Sequence, residues 1–114
     1  MDEAQFWKVI DAGRREADGD PDELGEAVGE RLEALPAEEI IAWDRMFCEL
    51  HAKSYRADLW GAGYLINGGC SDDGFEYFRA WVIGQGKKVF DAALANPASL
   101  ASVDVEPDSA ECEE

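Results

Sequence analysis

Leu59-Trp60-Gly61-Ala62-Gly63-Tyr64-Leu65-Ile66-Asn67-Gly68-Gly69-Cys70-Ser71-Asp72-Asp73 reads as one helix, a stop and the start of a second helix. Its first eight residues are apolar on nearly every side, which predicts a short helix with central burial rather than one wet face. Gly61 and Gly63 each lower helix propensity by about 1 kcal/mol relative to alanine, so their presence predicts close approach of a neighbouring backbone. Asn67-Gly68-Gly69 ends the segment, because glycine enters the left-handed region without a Cβ clash. Ser71 or Asp73 can cap the next helix, and Glu76 lies three residues beyond Asp73. That helix presents Phe75, Phe78 and Val82 on one face, with Tyr77 and Trp81 alongside.

Working outward, Phe6, Ile10 and Ala17 recur at helical spacing from Asp2 to about Ala17, widened by Trp7 and Val9. Gly19 can close this helix in the left-handed conformation, and Asp20-Pro21-Asp22-Glu23 then supplies an N-cap, a proline at the first helical position and a glutamate in capping-box register. Leu24, Val28, Leu32 and Leu35 form the stripe of a second helix, which Pro36 ends. Pro36 can also open a third helix, with Glu38 and Glu39 at its positive end and Ile40, Trp43, Phe47, Leu50 and Ser54 inward. A break is predicted around Arg56–Asp58, another at Gly84 to Gly86, and a stop at Asn96-Pro97 after Phe90, Ala93 and Leu94. No run alternates over strand length. The expectation is an all-α chain, one compact domain of about five to six helices over residues 1–101, with a disordered acidic tail over 102–114.

The 114 residues are 46% hydrophobic and include four Trp, five Phe and three Tyr, enough apolar surface for a core. Formal net charge is −16. All ten Lys and Arg precede residue 103, and the last twelve residues carry six acids and no base. Such a balance argues against nucleic acid, whose phosphates need Lys and Arg to displace counterions, and against an anionic membrane surface. It suits solubility, a basic protein partner or a cation. Cys48, Cys70 and Cys112 form no C-x-x-C pair, so reduced thiols are expected. The acidic N-terminus does not resemble a secretory signal, and charges interrupt every apolar run well short of a bilayer span, so a cytoplasmic location is expected.

Three constellations could carry chemistry. The Asn67–Asp73 turn sets glycines and helix-start N–H groups beside acids. Asp72 and Asp73 repel a bare anion, so the coherent ligand is Mg²⁺ or Ca²⁺ held by Asp72, Asp73 and Glu76. The competing reading, favoured by the residue types, is a helix stop followed by a cap. In the third helix Asp44, Cys48, His51 and Tyr55 share one face, and with Cys70 they could offer a soft-metal or thiol site. A lone histidine beside a cysteine is more often packing. Last, Tyr55, Arg56, Trp60, Tyr64, Tyr77, Arg79 and Trp81 could stack a ring or sugar, though aromatics at helical spacing are usually core.

The block Trp60-Gly-Ala-Gly-Tyr-Leu-Ile-Asn-Gly-Gly-Cys-Ser-Asp-Asp-Gly-Phe75 resembles a bacterial family known as domain of unknown function 4240. The opening Met1-Asp-Glu-Ala-Gln-Phe-Trp7, Leu35-Pro-Ala-Glu-Glu-Ile40, Phe78-Arg-Ala-Trp81 and Ala93-Leu-Ala-Asn-Pro97 carry the same resemblance, over about residues 1–101. The resemblance implies a one-domain helical bacterial protein and brings no catalytic residues. Two functions are therefore expected to compete. One is a small acidic binding or regulatory module that engages a protein partner. The other is a divalent-metal-dependent enzyme or ligand-binding protein using Asp72, Asp73, Glu76 and Cys70 of the turn region with His51, Arg79 and Trp81.

Overall fold

Asp2 opens the first helix by accepting from the Gln5 N–H, while the Gln5 side chain accepts from the Asp2 N–H. Two otherwise orphaned donors are thereby satisfied reciprocally. The helix so begun, α1, spans Glu3–Ala17 in the computed structural model, which describes residues 2–18 and 20–102. Five further α-helices follow: α2 Pro21–Glu33, α3 Ala37–Lys53, α4 Ala57–Asn67, α5 Asp72–Gly84 and α6 Lys87–Ala95. A 3₁₀ helix, Pro97–Ser102, ends the described chain. No strand occurs among the described residues. No helix among them is long and apolar enough to cross a membrane. The all-α expectation holds; the disordered tail expected over 102–114 lies, from residue 103, outside the described residues.

The backbone divides into two compact units within α3, between Leu50 and His51. In the first unit α1 packs on α2. Gly13 permits this, since a Cβ there would stand 2.7 Å from Val28 Cγ2. Phe6, Trp7, Ile10, Trp43 and Leu50 are buried, and Phe6 stacks on Trp43 with ring centroids 4.8 Å apart. Asp20 caps α2 through the Asp22 and Glu23 N–H groups, with Pro21 at the first position, as expected. The left-handed residue that ends α1 is Asp18 (φ 48°) rather than Gly19, which lies outside the described residues. Aspartate is among the few residues that tolerate this region. The α2 stripe is shallower than its spacing implies: Leu24, Val28 and Leu32 are half-buried and Ala27 is buried.

In the second unit α4 packs on α5, α5 on α6, and the 3₁₀ helix on α4 and α6. Leu59, Phe75, Phe78, Val82, Ile83, Phe90, Ala93 and Leu100 form its buried apolar set. Gly63 meets the Phe78 ring, where an added Cβ would lie 3.0 Å from Cδ2; Gly61 has open space. The expected close approach is thus a side chain at one glycine only. Central burial of α4 also fails. Leu59 and Gly63 are buried, but Tyr64 is exposed and Leu65 is 83% exposed. Apolarity all round a helix reports the absence of charge, not the number of elements available to cover it. Gly84 and Gly86 separate α5 from α6 as predicted, Gly86 at φ 101°. Asn96 ends α6, but Pro97 then opens the 3₁₀ helix that spacing did not reveal.

Candidate functional site

The sequence candidates gather around the end of α3 and the start of α5. The Asn67–Asp73 turn folds as its residue types require. Gly68 takes φ 72° and the N–H groups of Gly68 and Gly69 both reach the Tyr64 carbonyl, which satisfies helix-end acceptors. Ser71, not Asp73, is the α5 N-cap; its Oγ accepts from the Gly74 N–H at 3.1 Å. Asp72 and Asp73 are exposed in the first turn of α5, where the positive end of the helix favours carboxylates. Glu76 is exposed one turn further. Each residue of the turn described down to its side chain has a local structural role.

His51, in the last turn of α3, places Nε2 2.9 Å from the Glu76 carbonyl oxygen. A carbonyl only accepts, so this nitrogen carries the proton and donates, which leaves Nδ1 as the acceptor of the neutral ring. The His51 carbonyl is one of the acceptors that a helix end leaves without an intrahelical partner. It accepts from Ser54 Oγ at 2.8 Å and from an Arg79 guanidinium nitrogen at 2.7 Å. Arg79 also donates from Nε to Phe75 O at 3.4 Å.

Arg79 is 5% exposed, and its guanidinium carbon lies 4.8 Å from the Tyr55 ring centroid and 4.9 Å from that of Phe75. Burial pushes its pKa below the ordinary arginine value, with Glu76 and Tyr55 pulling it back up. The guanidinium still stays charged at neutral pH, because arginine starts so far above it. Trp60 stacks on Phe75 at 4.8 Å between centroids and 14° between planes, and its indole N–H donates to Cys70 O at 2.8 Å. The result is a cation held among the Tyr55 and Phe75 rings and the carbonyls of His51 and Phe75, an arrangement that ties the end of α3 to α5. Chemically it is a structural clamp: Arg79 is committed to a carbonyl and two rings.

The remaining candidates do not join it as ligands. Trp81 is half-buried and stacks on Phe78 at 5.8 Å between centroids. Cys70 is buried, and Cys48 is a free, exposed thiol; Cys112 lies outside the described residues. Tyr64 and Tyr77 are exposed. Among the described residues no three His, Cys, Asp or Glu side chains come together in a way that could hold a metal ion. The Mg²⁺ or Ca²⁺ reading therefore gains no donor set from the geometry.

Two surface grooves escaped the reading of spacing. One, of about 510 Å³, lies in the second unit between α4 and the 3₁₀ helix, with Tyr64, Leu65 and Pro97 on its walls and Asp58 at its edge. The other, of about 400 Å³, lies in the first unit and joins Leu32 near the end of α2 to Ile40, Ile41 and Trp43 of α3. The signal for both was present: apolar residues outside the main stripe, namely Ile41 and Leu65, are left exposed.

Charge is unevenly distributed along the chain. Residues 1–50 contain fifteen acids and five bases, whereas residues 51–102 contain five of each. Excluding the last twelve residues, the whole acid excess thus belongs to the first unit. On α2, Asp22, Glu23, Glu26, Glu30 and Glu33 are all exposed, and its one base, Arg31, is paired with Glu16.

The family model described as a protein of unknown function (DUF4240) matches residues 1–114, the whole chain. The chain belongs to this family. No curated protein and no solved structure matches it.

Proposed function

We propose that this DUF4240 member is a small cytoplasmic binding or regulatory module that engages a basic partner protein through the acidic surface of residues 1–50. The observation that carries this reading is the division of charge. Residues 1–50 carry a net −10 and residues 103–114 a net −6, while residues 51–102 are neutral, so the acid excess is concentrated rather than even, and concentrated charge steers and selects oppositely charged partners. A need for solubility alone would be met equally well by acids spread along the chain. The same field repels the phosphates of nucleic acid and anionic lipid headgroups. Catalysis draws no comparable support, since the Arg79 guanidinium is held by the His51 carbonyl at the end of α3 and His51 Nε2 by the Glu76 carbonyl within α5.

Affinity capture from a bacterial lysate at low salt tests the reading. The bait is the full chain beside a variant with Glu23, Glu26 and Glu30 changed to Gln. The expected result is a specific basic protein retained by the parent chain, eluted by salt and lost from the variant. The same proteins on both baits, or none on either, would overturn it.

A further inference from the structure

We draw no further inference here: the strongest candidate, the apolar groove between α4 and the 3₁₀ helix beside the exposed Leu65, is an unpartnered face of the second unit, and nothing in the structure shows what covers it.

Discussion

Arg79 shows why a residue's type and its role have to be separated. An arginine among tyrosines and tryptophans reads as a recognition surface, but here the guanidinium is buried between Tyr55 and Phe75 and donates to a carbonyl 28 positions earlier in the chain. A backbone acceptor so distant leaves no mark in local sequence, which is why spacing alone could place Arg79 but not explain it. The magnitude of its contribution follows from what remains when it is removed. Ser54 Oγ still serves the His51 carbonyl, so Arg79→Ala does not orphan that oxygen. It loses a charge-assisted hydrogen bond and the contacts of the planar group with two rings, about 2–4 kcal/mol together. Arg79→Lys retains charge but not the flat, forked geometry, and is expected to lose about half as much. Urea denaturation of the two variants checks the order; a near-parental midpoint for Arg79→Ala would remove the clamp from the fold's account.

At the scale of elements, α4 holds two glycines with opposite consequences. At Gly63 an added Cβ would come within 3.0–3.2 Å of three Phe78 ring atoms, and Phe78 is fully buried, so the ring has little room to yield. At Gly61 there is open space, and alanine recovers about 1 kcal/mol of helix propensity with nothing lost. Gly61→Ala is expected to raise the melting temperature by a few degrees, and Gly63→Ala to lower it despite the same gain in propensity, through about 1–3 kcal/mol of overpacking. Thermal melts of both variants settle the contrast, and a stabilised Gly63→Ala would contradict the α4–α5 packing. Sequence alone saw the pair as equivalent. It located helix starts well wherever a short polar side chain or proline acts locally, as at Asp20-Pro21 and Ser71, and helix ends wherever glycine turns left-handed, as at Gly68. It misjudged the coverage of α4 and missed the helix after Asn96. Both depend on how many elements pack together, a quantity that no single stretch contains. Among the candidate site residues, the caps were legible and the clamp and both grooves were not.

For the molecule as a whole, the net charge of −16 is a poor guide to stability because the acids are not shared out. Repulsion falls off with distance and is screened beyond about 10 Å at ordinary salt, so each charge responds to its own neighbourhood. Glu26 on α2 has Asp22 four residues before it, Glu23 three before and Glu30 four after, all exposed. Like charges at these spacings destabilise a helix by a few tenths of a kcal/mol per pair, and Glu26→Lys turns all three into attractions, two of them, from Asp22 and Glu23, with the acid preceding lysine in the favourable order. Asp91 on α6 has the opposite surroundings: it is paired with Lys87 four residues before it and has Lys88 three before. Asp91→Lys makes the same change in net charge but converts attraction into repulsion. If total charge governed stability, both substitutions would help. If local fields govern, Glu26→Lys raises the melting temperature by about 3–6 °C at roughly 10 mM NaCl while Asp91→Lys lowers it by a smaller amount, since one helix-surface ion pair is worth about 0.5 kcal/mol. Both shifts should shrink toward zero at about 1 M NaCl, where screening reaches down to contact distance. Two shifts of the same sign would mean that the acid excess acts as one charge, and would remove the local field on which recognition of a basic partner by residues 1–50 depends.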